Sequence, residues 1–313
     1  MAEATESSFM AHPGAVADWR MVVLVDVAAG SGVLAALPGT ADDLAGRLDL
    51  DPHAVRVVLD ALGAWAVVAR DGEARYTLGP DAPDTGTVAQ LRHHARAVRG
   101  WSGSLDKQLH GEPVEARPGM PDPELFIDAL AVGGRASAPG IVDICLKRFP
   151  GARSVIDLGG GHGEYSLEFA RRGLQVTMQD LPVMIDVVRR RGRLAEAGVE
   201  LVAGSFFNGV PPGPFHLAFC AGITHTFDGS RNEMLFRNLR PAVASGGGVA
   251  VVTFLRHRHP MADVFAVQML TNASGGDTHT EDEYRAWLGG AGFTADEAPL
   301  DVDGRPQSVL FAT

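Results

Sequence analysis

Two short stretches hold residue types that could do chemistry together. In SVIDLGGGHGEYSLEFA, Gly159, Gly161 and Gly163 follow an apolar run and precede a helix-like one. Glycine is needed where a backbone turns sharply or a ligand must approach it closely. In GITHTFDG, His225 stands between two threonines, after the strand-like run PFHLAFCAGI. An imidazole with an ordinary pKa of about 6.5 can accept a proton at neutral pH. It can also ligate a metal, or be a polar loop residue and nothing more. Asp180 ends the next apolar run, 19 residues after Gly161. A carboxylate there can accept hydrogen bonds from both hydroxyls of a ribose. It could instead cap the helix expected in LPVMIDVVRRRG. A nicotinamide loop would place its third glycine at position 164, which is Glu164, and an acid at a helix start weakens an anion cradle. No G-K-[ST] follows, so the loop is not a P-loop. Loop and acid together point to an adenosine ligand.

These residues need a frame that brings them to one edge. RSVIDLG, LQVTMQD, VELVAG, HLAFCAG, GVAVVTF and SVLFAT are short runs rich in apolar or β-branched residues. Helical stretches are expected between each of the first four. That alternation predicts an α/β fold, a largely parallel sheet with helices on both faces, over residues 151–313. Ligands of such sheets lie outside the carboxyl ends of the strands. Residues 101–150 read as a helical connector with Pro/Gly breaks, GEPVEARPGMPDPE being a loop and ELFIDALAVGGRASAPGIVDICLKRF one or two helices. Residues 1–100 read differently. Thr40 caps one helix, and a turn at Leu50–Pro52 starts a second with Val55, Val58, Leu59 and Leu62 at helical spacing. AWAVVAR and ARYTL then form a hairpin through Asp71-Gly72. Helix, turn, helix, hairpin is the order of a winged-helix module.

Composition limits what such a module can bind. The chain has 313 residues and a formal net charge of −11. Residues 1–100 hold 8 Arg and no Lys against 13 acids, and the second helix offers only His53 and Arg56. Nucleic acid needs cationic phosphate contacts, so a DNA-binding regulator is disfavoured. Cys145 and Cys220 lack metal-type spacing and read as buried, reduced thiols of a cytoplasmic protein. The N-terminal MAEATESSFMAHPG has no basic region and does not read as a signal peptide. No apolar stretch suggests a membrane span.

VIDLGGGHG, QDLP, GSFF, ITHTFD and TEDEYRAWLGGAGF match, in this order, the motifs of S-adenosylmethionine-dependent small-molecule O-methyltransferases. This family includes plant phenolic and bacterial polyketide-tailoring enzymes. The resemblance covers nearly the whole chain and implies a Rossmann-like methyltransferase domain behind a mostly helical, winged-helix-like dimerisation domain. It implies that Asp157, Gly159, Gly161 and Gly163 line the methionine part of S-adenosyl-L-methionine. Asp180 would take the ribose, Leu181 would pack on the adenine, and Ser205 and Phe206 would stand at its edge. His225 aligns with the family's general base. Acceptor-pocket candidates are Trp101, Phe126, Leu130, Phe254, Met269 and Asn272, although several could be core. The implied reaction is methyl transfer to a hydroxyl of an aromatic natural product by a homodimer.

Four positions depart from the pattern. Thr226 stands for an aspartate after the histidine, and Thr253 for the glutamate that orients it. Ala221 and Ser205 replace polar or acidic residues. Substitutes for the missing carboxylate are Asp228, Asp277 and Glu281. His279, between the last two, could join His225 as a metal ligand in a relative that methylates carbon or nitrogen, although no metal is the leading expectation. His257 and His259 read as a solvated turn, and His93 and His94 as an exposed helix face. A homologue that binds the cofactor without transferring its methyl group is a further alternative.

Overall fold

A computed structural model describes residues 18–112, 122–272, 275–302 and 305–313. The N-terminal stretch and most of the expected loop before Pro123 fall outside these, as does the side chain of Asn272. The described chain forms two compact units, 18–99 and 100–313.

In the smaller unit, α1 (Trp19–Gly30) and α2 (Val33–Ala36) lead to β1 (Gly39–Thr40). Thr40 caps α3 (Ala41–Leu48). Its hydroxyl accepts the Asp43 N–H while the Asp43 carboxylate accepts the Thr40 N–H, a reciprocal box that satisfies two orphan donors. Asp51 caps α4 (Pro52–Gly63). There Pro52 stands in the first turn, where a missing N–H is harmless. β2 (Val68–Arg70) and β3 (Arg75–Leu78) form the hairpin, and β1 pairs with the far edge of β3. The Asp71 carboxylate accepts the N–H of Glu73 and Arg75, and the left-handed residue of the turn is Ala74, not Gly72. Val25, Leu44, Leu59, Leu62 and Tyr76 form this unit's core. α5 (Thr85–Leu109) is one continuous helix. On it His94 is buried, and burial pushes its pKa down to about 4, so the exposed face expected for His93 and His94 is not found.

The larger unit begins with α6 (Pro123–Arg148), one helix that runs through Pro139. Ile127, Ile141, Val142 and Cys145 along it belong to the core of the sheet. After it come β4 (Ser154–Leu158), α7 (Glu164–Arg171), β5 (Gln175–Asp180), α8 (Pro182–Arg191), α9 (Arg193–Glu196), β6 (Glu200–Ala203) and β7 (Phe215–Ala221). Then follow α10 (Gly229–Leu239), β8 (Val243–Thr253), α11 (Pro260–Asn272), α12 (Glu281–Gly290), β9 (Leu300–Asp301) and β10 (Ser308–Ala312). The seven strands lie in the order β6-β5-β4-β7-β8-β10-β9. The first five pair in parallel, while β10 runs antiparallel to both β8 and β9.

One expected helix is missing. β6 and β7 are joined by the irregular segment 204–214. Pro211, Pro212 and Pro214 remove the backbone donors that a helix there would need. Elsewhere the period-2 alternation of the strands sorts two cores. Val155, Met178, Phe219 and Val252 face α6, α7 and α8, whereas Ile156, Leu158, Cys220 and Val251 face α10 and α12. Cys145 and Cys220 are free, buried on opposite faces, and burial pushes both thiols up. Among the described residues α6 alone is long and apolar enough to cross a membrane. Half of that stretch is buried, with Ile127, Ile141, Val142 and Cys145 in the core.

Candidate active site

The parallel strands β4, β5, β6 and β7 all end at one edge of the sheet, and their loops meet there. After β4 the chain turns through Gly159, Gly161 and Gly163, with φ of 66°, 51° and 75°. Only glycine adopts these angles without strain. A Cβ on Gly159 would come within 2.4 Å of Ile223, and one on Gly163 within 2.7 Å of Leu194. A Cβ on Gly161 would meet only the Gly159 carbonyl, at 3.8 Å. Gly161 is therefore where the loop lies open to a ligand. Gly159 is where it packs on the segment that carries His225.

Two acids frame this loop. Asp157, within β4, is buried, and Ser166 Oγ donates to its Oδ2 at 2.6 Å. Burial pushes its pKa up to about 7, with the Asp180 charge adding to the rise. Asp180 does not cap α8, whose first-turn cap is Leu181. Its Oδ2 accepts the Gly161 N–H at 2.8 Å and its Oδ1 the Leu181 N–H at 2.6 Å. Burial raises this carboxyl too, against the pull of those two amides. Among the described residues neither acid has a cationic partner. The acid at the start of α7 is accounted for differently, since Glu164 pairs with Arg193 at 2.9 Å and Arg135 at 3.4 Å.

His162, inside the glycine loop, was not singled out by its sequence. Its Nδ1 accepts the Glu164 N–H at 3.0 Å, and burial pushes its pKa down to about 4. A Cβ on Gly134 would overlap its ring, so α6 sits directly on the loop. Leu181 is half exposed beside Asp180. Ser205 follows β6, and its Oγ accepts the Phe207 N–H at 3.3 Å. Phe206 is buried with Phe207 and Phe227, so its ring belongs to the core.

His225 lies in a single 3-10 turn, Thr224–Thr226, just beyond β7. It is only 7% exposed, and its Nδ1 is buried without a hydrogen-bond partner. Phe265 and Phe254 stand edge-on to it at 4.8 and 6.1 Å and stack on each other at 4.2 Å. Burial, and next the neighbouring His279, push its pKa down to about 3.

None of the three proposed carboxylate substitutes reaches it. Asp228 caps α10 through the Arg231 N–H, Asp277 pairs with Arg256, and Glu281 pairs with Arg285 and Arg258. Thr253 belongs to a closed hydroxyl cluster in which Tyr284 Oη lies 2.6 Å from Thr224 Oγ1 and 3.2 Å from Thr253 Oγ1. His279 Nε2 donates to the Phe227 carbonyl at 2.9 Å. Among the described residues no three His, Cys, Asp or Glu side chains converge as metal ligands. His257 and His259 form the turn before α11, as expected.

The acceptor-pocket candidates do not all gather. Phe254 lies against His225. Trp101 Nε1 donates to Gln268 Oε1 at 2.7 Å, next to the buried Met269 on α11. Phe126 packs on the core, and Leu130, on the same helix, is 40% exposed. Sequence reading passed over Phe265 and Gln268; Phe265 stands four residues before Met269 on α11, while Gln268 carried no such spacing signal.

The edge fits S-adenosylmethionine. Asp157, buried without a cationic partner, suits a ligand that carries sulfonium and ammonium cations, and Asp180, held beside the loop by two backbone amides, suits ribose hydroxyls. The open face of Gly161 admits it.

Comparison with known proteins agrees. A family profile described as an O-methyltransferase domain matches residues 141–294. The chain is 31% identical over 310 residues to the 3-amino-4-hydroxybenzoate 4-O-methyltransferase of Streptomyces cremeus, covering 89% of this chain and 82% of that one. It is 27% identical over 289 residues to the 3-hydroxy-5-methyl-1-naphthoate 3-O-methyltransferase of Streptomyces sahachiroi, covering 83% and 81%. In fold it resembles the mitomycin 7-O-methyltransferase, with a TM-score of 0.74 at 20% identity over 94% of each chain. It also resembles an O-methyltransferase of neocarzinostatin biosynthesis solved with S-adenosylmethionine and 2-hydroxy-5-methyl naphthoic acid. There the TM-score is 0.71 at 23% identity, covering 95% and 97%.

Proposed function

Because the chain belongs to the O-methyltransferase family and uses S-adenosylmethionine, we propose that it methylates a hydroxyl of an aromatic small molecule in secondary metabolism. The observation that carries this reading is the placement of His225. It stands at the end of β7, its turn touches the glycine loop through Ile223 and Gly159, and two phenylalanines wall it. An aromatic acceptor is complementary to such a wall. Hydroxybenzoate and hydroxynaphthoate acceptors, named for the Streptomyces relatives, are of that kind.

The cofactor supplies an electrophilic methyl group on sulfur. The chain's own residues supply position. Asp157, Gly159, Gly161 and Gly163 would hold the methionine part, Asp180 the ribose hydroxyls, and Leu181 and Ser205 the adenine side. His225 would face the acceptor oxygen. Trp101, Leu130, Phe254, Met269 and Asn272 remain the acceptor-side candidates, with Phe254 supported by its contact with His225. Phe265 joins them.

We read residues 18–99 as a winged-helix-like dimerisation module of a cytoplasmic homodimer. Arg56 on α4 is held by Asp60 and His53, which leaves that helix little charge for DNA. Trp19 and Val27 on α1 are exposed and apolar, as a dimer face requires.

The test is product assignment. Purified protein with S-adenosylmethionine and 3-amino-4-hydroxybenzoate, or a hydroxynaphthoate, should release S-adenosylhomocysteine and an equal amount of O-methyl product. Methyl found on carbon or nitrogen would overturn the reading.

A further inference from the structure

We propose that the acceptor hydroxyl is an acidic one, delivered as its oxyanion, and that His225 aligns this oxygen instead of removing its proton. This rests on the methyl-transfer reading above and names the substrate class for it.

The surroundings of His225 decide the matter. From α11 it meets Phe265, and from the end of β8 Phe254. The adjoining Thr253 is committed to Tyr284 and Thr224. From the segment before α12 it meets His279, the one titratable group that shifts it, and the backbone N–H of Asp277, which donates to its carbonyl. The Asp277 carboxylate is turned to Arg256, and Glu281 on α12 to Arg285 and Arg258. On the α10 side Asp228 is spent on its cap. An imidazolium formed here would be buried, without a carboxylate, and beside a second imidazole. All three conditions disfavour the cation. The depressed pKa of about 3 agrees with that geometry. An ordinary phenol, with a pKa of about 10, is too weak an acid to pass its proton to such a base.

The same features make His225 a good aligning group. A neutral imidazole always carries one N–H, and an oxyanion accepts it in a strong, charge-assisted hydrogen bond. The acceptor therefore loses its proton to solvent before it binds. A lone pair of its oxygen forms the new bond to the methyl carbon. The carbon–sulfur bond breaks, and its electron pair stays on the sulfur of S-adenosylhomocysteine. Hydroxyls that ionise near neutrality suit this: phenols conjugated with acyl or nitro groups, hydroxyquinones, and enols of 1,3-dicarbonyls.

The test uses para-substituted phenols graded in acidity from 4-nitrophenol to phenol. With the S-adenosylhomocysteine complex, 4-nitrophenol should bind as nitrophenolate, visible by its absorption band, at a pH where the free compound is mostly neutral. In turnover, the rising limb of kcat/KM against pH should move with each phenol's own pKa. His225→Gln, whose amide N–H can donate in place of the imidazole, should lower kcat/KM for 4-nitrophenol at high pH by no more than about tenfold. A limb fixed at one pH for every phenol, with a loss of about 10²–10⁴ in His225→Gln, would establish general-base catalysis and overturn the proposal. So would 4-nitrophenol binding in its neutral form. Bound nitrophenolate with no methylation of any phenol would instead overturn the hydroxyl-transfer reading.

Discussion

Gly159 and Gly161 share a motif and a left-handed backbone, yet their surroundings give them different work. An alanine at either position costs about 1–2 kcal/mol for the backbone angle alone. At Gly159 its methyl also collides with Ile223, which adds about 1–3 kcal/mol of overpacking and displaces the turn that holds His225. At Gly161 the methyl enters open space. Gly159→Ala should therefore lose about 2–5 kcal/mol in denaturant unfolding. Gly161→Ala should stay within about 2 kcal/mol of the native protein. Calorimetric titration with S-adenosylhomocysteine should show Gly161→Ala weakened at least about tenfold, because its methyl stands where the ligand approaches. Equal stability losses in the two variants would refute this division of roles.

Elements were more legible than the contacts between them. The cap at Thr40, the glycine loop and the strands through β8 follow from local chemistry, because capping hydroxyls, left-handed turns and period-2 alternation act within a few residues. The position of His225 after β7 was legible for the same reason. What supports it was not, because that depends on side chains far apart in the chain. Tyr284 reaches Thr224 across 60 residues. No spacing rule links a tyrosine in TEDEYRAWL to threonines at two strand ends, and none shows that Asp228, Asp277 and Glu281, the candidate substitutes for a carboxylate, are taken by a helix cap and by arginines. The burial of His94 and the edge-on Phe265 were hidden likewise. The hydroxyl cluster now makes a prediction at this scale. Tyr284 pins α12 to the ends of β7 and β8, and Tyr284→Phe keeps its ring while leaving two buried threonines short of a partner. Unfolding should lose about 1–3 kcal/mol. Adding both Thr224→Val and Thr253→Val to Tyr284→Phe should recover part of that loss, since no polar member of the cluster then remains to be satisfied. A triple variant that loses as much as the sum of the singles would contradict the cluster's closed hydrogen bonding.

At the scale of the molecule, the larger unit buries a set of groups whose proton affinities oppose one another. His162 and His225 have folded pKa values of about 4 and about 3, below the 6.5 of a free imidazole. The stability they contribute is complete above pH 6.5 and is lost as the pH falls, because the unfolded chain takes up protons that the folded one refuses. Asp157 runs the other way. Its folded pKa of about 7 lies above the free value of 3.8, so the folded protein gains on acidification and loses as the pH rises toward 7. Asp180, also raised by burial, acts with Asp157. Between pH 6.5 and 5 the histidines' loss and the acids' gain therefore oppose each other in the cofactor-free larger unit. Asp157→Asn removes part of the gain and should steepen the loss of stability over that interval, whereas His162→Gln should reduce it. Denaturant unfolding of the three proteins at pH 6.5 and 5, followed by hydrogen exchange at amides of β4 and β7, isolates this unit from the smaller one. Parallel slopes in the native protein and Asp157→Asn would mean that the Asp157 carboxyl is already ionised in the fold. Asp157 would then meet the cofactor's cations without first giving up a proton, and cofactor binding would release none from it.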